Sequence, residues 1–147
     1  MARSLSRSAA RLAAVQALYQ QDMEGIATGA VIREFHAHRL GQTVEDETYA
    51  DAEADFFDDL VAGANDRSDE IDAAITERLA EGWSMERLDR PMKAILRVGT
   101  YELLARPDVP LATVISEYVD VADAFYDKRE KGFVNGLLDA IGKAARS

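Results

Sequence analysis

Apolar residues recur at helical spacing along most of the chain, most clearly between Leu88 and Gly136. Ile95, Val98 and Leu103 are followed there by Val114, Tyr118, Val121, Ala122 and Phe125. Two prolines mark where helices should begin. Asp89-Arg90-Pro91 has the form of an N-cap followed by Pro in the first turn, where a missing N–H costs nothing. Pro107-Asp108-Val109-Pro110 ends one helix and starts the next, because Pro disfavours helical geometry in the residue before it. The pattern predicts two consecutive amphipathic helices, a charged turn at Asp127 to Lys131, and a third helix opening near Phe133.

Upstream, a loose Ser/Arg arm becomes helical near Ser8, with Leu12, Val15, Leu18 and Tyr19 on one face. Gly25 to Gly29 is a connector. Val31 to Leu40 forms a second helix stopped by Gly41, and Gln42 to Thr48 is a polar, acidic loop. Tyr49 to Ala64 is a third helix, with Phe56, Phe57, Leu60 and Val61 inward and carboxylates outward. Its acidic first half suits the positive end of a helix dipole. Arg67 to Ala80 is a fourth, carried by Ile71, Ala74, Ile75 and Leu79. Gly82-Trp83-Ser84 breaks the pattern, with Ser84 placed to cap a short turn to Leu88. No period-two alternation bounded by turns occurs, so no strands are expected. The chain reads as all-α: about seven helices in one domain over 1–147, built of two packed bundles of about 1–80 and 81–147.

A length of 147 residues suits one domain that buries roughly 70% of its unfolded surface. No stretch resembles a membrane span; the longest charge-free run, Leu12 to Gln21, is about half of the ~20 residues required. The absence of cysteine removes disulfides, thiolate metal sites and thiol nucleophiles, as suits a cytoplasmic protein. A net charge of −10 argues against a protein that grips nucleic acid over its whole surface. The charge is unevenly spread. Arg3, Arg7 and Arg11 precede the first acidic residue, Asp22, whereas Glu45 to Asp59 is dominated by carboxylates.

Catalytic chemistry is hard to find. His36 and His38, two residues apart on a helix, point to different faces and do not make a joint metal site. Neither has a Glu three residues before it, as a di-metal bundle requires. The acidic run lacks calcium-loop spacing and reads as a solvated face. Gly132 and Gly136 are isolated and form no phosphate loop. The sequence therefore points to no catalytic residue, no metal and no cofactor.

The arginines point to a different chemistry. Arg7 and Arg11 sit four apart and present two guanidinium groups together on one turn. With Arg3 and Tyr19 they could hold RNA, since guanidiniums bind phosphate and stack on bases and an aromatic ring gives a single-stranded base a platform. Three spaced arginines also occur on many solvated helix faces, and Tyr19 fits a core position equally well. Lys128, Arg129 and Lys131 make a second basic cluster before Phe133, with an ordinary charged loop as the alternative. Asn135-Gly136 is an unusual pair inside a helix; close helix packing at Gly136 and a side-chain bond from Asn135 would account for it. An Arg- and Ser-rich, acid-poor start also has the composition of a mitochondrial transit peptide. Against that, the helix continues into the core pattern.

Several motifs in fixed order resemble the NusB family of bacterial transcription antitermination factors over nearly the whole length. They are Ala13-Ala14-Val15-Gln16-Ala17-Leu18-Tyr19 after an arginine-bearing start, Ala94-Ile95-Leu96-Arg97 with Tyr101-Glu102-Leu103, and Asp108-Val109-Pro110. Val114-Ile115-Ser116-Glu117 and Phe133-Val134-Asn135-Gly136-Leu137-Leu138-Asp139 complete the set. The resemblance implies two helical bundles without a catalytic site. It also implies binding of the boxA element of ribosomal RNA leader transcripts together with NusE, a small-subunit ribosomal protein, in a complex with other Nus factors on RNA polymerase. The family's RNA surface uses an arginine-rich N-terminus; Arg7 and Arg11 fall where it has arginines, and Tyr19 matches its Ala-Leu-Tyr aromatic. Arg3, Arg7, Arg11, Tyr19, Lys128, Lys131 and Phe133 are the expected RNA-binding residues.

The sequence departs from the family pattern at two places. Ser8 and Ala9 stand where strongly basic members have arginine, which thins the arm and makes NusE more important for RNA affinity. Arg129 and Gly132 replace parts of an acidic-Ser-His-Lys type turn. Some members are monomers and others homodimers, so a homodimer stays open. Two other functions remain: a helical protein–protein adaptor without RNA binding, and the RNA-binding domain of a ribosomal RNA methyltransferase. The second would require a cofactor-binding α/β segment beyond Ser147.

Overall fold

The computed structural model describes residues 2–40 and 51–146, without the side chains of 2–6, 39 and 51–53. Residues 2–24 contain neither Gly nor Pro and are rich in good helix formers. They build a single helix, α1 (Ala2–Glu24), which stops where Gly25 adopts φ +68°. The helix therefore begins well before Ser8, where a loose arm was expected. After it, α2 (Thr28–Phe35) widens into a π-helical turn, His36–Leu40. The expected stop at Gly41, the acidic loop Gln42 to Thr48 and the expected start at Tyr49 lie outside the described residues.

α3 (Asp51–Asp66) and α4 (Ser68–Arg78) follow, and Leu79 is already extended. Gly82 at φ +90° then turns the chain into a short 3-10 turn, Met85–Arg87, which Ser84 precedes without a side-chain cap bond. α5 (Arg90–Ala105) opens as its sequence predicts. Asp89 Oδ1 accepts a hydrogen bond from the Met92 N–H at 3.0 Å, and Pro91 sits in the first turn. α6 (Leu111–Asp123) starts directly after Pro110. α7 (Lys128–Ala145) begins more than a turn before Phe133, so the charged run 128–131 is helix and not the expected turn. Lys and Arg are good helix formers, and nothing in the run breaks the backbone pattern. The described residues hold seven α-helices and no strand.

The core is organised about α5. Met92, Ala94, Ile95, Leu96, Val98, Tyr101 and Leu103 are buried, and these positions run round the helix. A helix apolar on all sides must be enclosed, and α1, α3, α4, α6 and α7 all pack on it. One continuous apolar core joins the first four helices to the last three. α1 enters that core by a face of small residues, Ala10, Ala13, Ala14 and Ala17 with Val15. The expected stripe is only partly correct: Val15 is buried, whereas Leu12, Leu18 and Tyr19 pack half-buried at its edge. Alanine lets the backbones of α1, α3 and α5 approach closely.

Glycine serves the same purpose at two crossings. A Cβ on Gly63 would lie 2.1 Å from the Tyr101 ring, and one on Gly142 would lie 2.2 Å from Leu111. Gly136 is the reverse case. It is exposed with open space around it, and exposed Asn135 makes no hydrogen bond among the described residues. The packing expected for this pair is absent. Polar ties lock the periphery. Arg97 forms a bidentate pair with Asp72 at 2.9 and 3.0 Å, joining α5 to α4. Arg146 donates to the carbonyls of Leu103, Val109 and Arg106 at 3.0, 2.7 and 2.9 Å, fastening the end of α7 to the α5–α6 turn. No described helix is long and apolar enough to cross a membrane.

These contrasts predict opposite effects for one kind of substitution. Gly63→Ala should lower the unfolding free energy by about 1–3 kcal/mol through overpacking against Tyr101. Gly136→Ala, which meets nothing, should raise it by roughly 0.5–1 kcal/mol. Paired urea melts would read both.

Candidate nucleic-acid interface

The two arginines expected to act together are separated by burial. Arg11 is 3% exposed, and its guanidinium is committed inside the protein. Nε donates to Glu102 Oε1 at 2.9 Å, Nη2 to Glu102 Oε2 at 2.7 Å, and Nη1 to Glu117 Oε1 at 2.7 Å. Glu102, itself fully buried, also accepts from the Tyr118 hydroxyl at 2.7 Å. Ser8 Oγ closes the chain of bonds on Glu117 at 2.6 Å. Burial works against the charge on Arg11, and the bonds and charge of Glu102 more than offset it, so its pKa rises. Burial, then the charge of Glu102, pushes the Tyr118 phenol well above its usual value. Arg11 is therefore corrected from a surface candidate to an internal tie between α1, α5 and α6.

Arg7, one turn earlier, is half-buried, with its Cζ 4.6 Å from the Phe56 ring centroid. Arg11 and Arg106 lie against the same ring, each at 5.1 Å. Arg106 is held by Asp59 at 3.1 Å and Asp108 at 3.3 Å, whereas Arg7 makes no ion pair among the described residues. Its guanidinium is thus stacked on an aromatic face without a direct ion pair, although its charge acts on the Asp108 carboxylate and helps to lower that group's pKa. The Arg3 side chain lies outside the described residues. Tyr19 is half-buried at the edge of the core.

The second group opens α7. Lys128 is exposed and makes no ion pair among the described residues; the same holds for exposed Arg129. Lys131 is partly neutralised, since Nζ donates to Asp123 at 2.8 Å, a bond that raises its pKa. Phe133 is half-buried and lines a cleft of about 420 Å³ with Trp83, Arg87, Leu88 and Met92. The fold thus gathers Arg7 and Arg11 around Phe56, and Lys128, Lys131 and Phe133 at the start of α7. No hydrogen bond, ion pair or ring contact joins the two groups among the described residues.

Sequence reasoning missed two exposed aromatic rings. Trp83 is 53% exposed and carries Arg87, whose Cζ lies 5.6 Å from the ring centroid. Its position between Gly82 and Ser84, outside any apolar period, was the available signal. Phe125, expected in the core, is 41% exposed because α6 ends at Asp123 and the helical spacing no longer applies. Its neighbour Tyr126 is tied by its hydroxyl to Asp89. His36 pairs with Asp58 at 2.6 Å, and no described group of three or more His, Asp or Glu could hold a metal ion.

Residues 8–143 match the model of the NusB family. The chain is 68% identical over 144 residues to the transcription antitermination protein NusB of Sphingopyxis alaskensis, covering 98% of this chain and 97% of that protein. Among solved structures it is similar to T. maritima NusB, with a TM-score of 0.79 at 30% identity over 93% of this chain and 90% of the other. It is also similar to a chain in the complex of antitermination factors NusB and NusE with double-stranded RNA. That match has a TM-score of 0.76 at 28% identity and covers 95% of this chain and 97% of the other.

Removing each arginine should separate their roles. Arg11→Ala leaves Glu102 buried without its cation and should cost about 3–5 kcal/mol of stability. Arg7→Ala should cost about 0.5–2 kcal/mol, the range for a half-buried cation–π contact. The tyrosines predict an alkaline limit. Burial and the bond to Asp59 at 2.7 Å push Tyr101 up to about 12, and burial with the charge of Glu102 raises Tyr118 as well. Folded-state values above the unfolded one mean that their contribution is complete below pH about 10 and is lost as pH rises beyond it. Tyr118→Phe should flatten the fall in melting temperature above that pH.

Proposed function

The chain belongs to the NusB family, and we propose that it acts as a transcription antitermination factor that binds boxA RNA together with NusE. In this reading the pair joins other Nus factors on RNA polymerase, in the cytoplasm and without a catalytic step. The observation that carries it is how the fold allocates its cations. In a chain of net charge −10, Arg11, Arg97 and Arg106 are consumed by internal carboxylates, whereas Arg7, Lys128 and Arg129 stand without ion pairs among the described residues. Such a body repels RNA overall and attracts it locally. A basic partner would supply the remaining phosphate contacts, which fits a composite surface with NusE.

In this proposal Arg7 contacts phosphate or base at the start of α1, with Arg3 beside it in sequence. Lys128 and Arg129 contact phosphate at the start of α7, where Lys131 contributes less because Asp123 holds it. Tyr19 and Phe133 supply half-buried rings on which bases can stack. Arg11 acts only through the placement of α1. The second reading is a protein–protein adaptor without RNA binding, favoured by the loss of Arg11 and Lys131 to internal pairs.

A salt series of binding to boxA RNA and to a scrambled strand, with and without NusE, tests both. Selective binding that sharpens with NusE is expected. Each single-strand phosphate contact adds about −0.7 to the slope of log K against log salt. Arg7→Ala should therefore weaken binding and make the slope shallower by about that amount. Binding of NusE with no measurable affinity of the pair for either strand would establish the adaptor instead.

A further inference from the structure

We propose that Tyr126 is a positioning residue whose hydroxyl aims the first turn of α7 at RNA. The inference rests on the RNA-binding reading above, in which Lys128 and Arg129 contact phosphate, and assigns the group that fixes their direction. α7 is anchored late. Its buried side chains begin at Val134, and none from Lys128 to Phe133 is buried. Asp127, which precedes the helix, makes no side-chain cap bond. The opening of α7 therefore projects past the core, and any rotation at the connector before it is carried to Lys128 and Arg129. Lys131, bonded to Asp123 at 2.8 Å, ties this turn only to the end of α6, which leads into the same connector.

Tyr126 supplies the tie to a different helix. Its hydroxyl donates to Asp89 Oδ1, the oxygen that also accepts from the Met92 N–H at 3.0 Å and so caps α5. Among the described residues no other side chain of 124–127 makes a hydrogen bond or ion pair. The backbone brings the ring there: α6 stops at Asp123, and the N–H groups of Phe125 and Tyr126 turn back to the Ala122 carbonyl at 3.0 and 2.9 Å. Burial and then the bond to Asp89 raise the Tyr126 pKa, so the hydroxyl stays a donor at neutral pH. Arg90, the next residue after Asp89, pairs with Asp22 at 3.4 Å. The opening of α5 thus holds the end of α1 and the approach to α7 against one another. The ring of Tyr126 packs half-buried on the core, so stability belongs to the ring and aiming to the hydroxyl.

Tyr126→Phe removes the hydroxyl and keeps the ring. Binding of a single-stranded boxA oligonucleotide by the chain with NusE is measured over a salt series, and melting curves confirm that each variant folds. Tyr126→Phe should weaken RNA affinity. It should also flatten the slope of log K against log salt by about 0.7 for each phosphate contact that the first turn of α7 loses. Lys128→Ala should do the same in the parent chain and change nothing further beside Tyr126→Phe, since a misdirected turn has no contact left to lose. Asp89→Asn, whose amide oxygen can still accept both bonds and cap α5, should keep the parent affinity and slope, whereas Asp89→Ala should reproduce the loss. A lower melting temperature in Tyr126→Phe with unchanged affinity and slope would make the tie purely structural and overturn the proposal. An equal cost of Lys128→Ala in both backgrounds would overturn it too, because the turn would then keep its direction without the hydroxyl. Lys128→Ala without effect in a parent chain that binds RNA would overturn the positioning role and leave the RNA-binding reading standing. Absence of any RNA binding by the parent chain with NusE would remove that reading, and the positioning role with it.

Discussion

A guanidinium taken out of water must carry its counter-charge with it, and the placement of α1 follows from that requirement. Arg11 reaches Glu102 on α5 and Glu117 on α6, and Tyr118 and Ser8 complete the bonds around the two carboxylates. Breaking such a cluster by removing one partner is costly, because the remaining charge is stranded in a low-dielectric core. Its geometry is also directional: a guanidinium bonded at both edges accepts little rotation of the helix that bears it. The alanine face of α1 supplies closeness to α3 and α5, and Arg11 supplies the angle. Arg7, one turn away, is set against Phe56 as a consequence.

The same demand shapes the surface. An acidic chain has few cations to present, and this fold spends many of them on its own joints: Arg97 to α4, Arg106 to α3, and Arg146 on three carbonyls at the α5–α6 turn. The positive charge left for a polyanion is sparse. In the proposed reading such a protein gains selectivity from where a few guanidiniums stand beside aromatic rings and leaves bulk phosphate attraction to its partner. The rings support that division. Buried aromatics would stabilise the core further, yet Trp83 and Phe125 remain in water in the connections that precede α5 and α7.

Much of the architecture was legible in the chain. The N-cap at Asp89, the prolines at 91 and 110, the apolar faces of α3 and α5 and the lack of strands are all set within a turn or two of backbone. Local periodicity is enough there, because helix geometry fixes which neighbours share a face. The expected boundaries move at the starts of α1 and α7, where an Arg-bearing arm and a charged turn are helix instead, because Arg and Lys are good helix formers. The composition of Asn135-Gly136 is unusual for a helix interior, but composition does not show that the pair faces open solvent.

The sequence by itself determined the all-helical class, the starts of α5 and α6, the absence of thiol chemistry and the polarity of charge along the chain. Only the tertiary structure decided which arginine is inside. Arg7 and Arg11 are identical in kind and one turn apart, and no local rule ranks them. Glu102 and Glu117, which claim Arg11, lie 91 and 106 residues further along the chain. A side chain's own pattern fixes its direction on a helix; whether that direction meets water or a buried carboxylate depends on how distant helices pack.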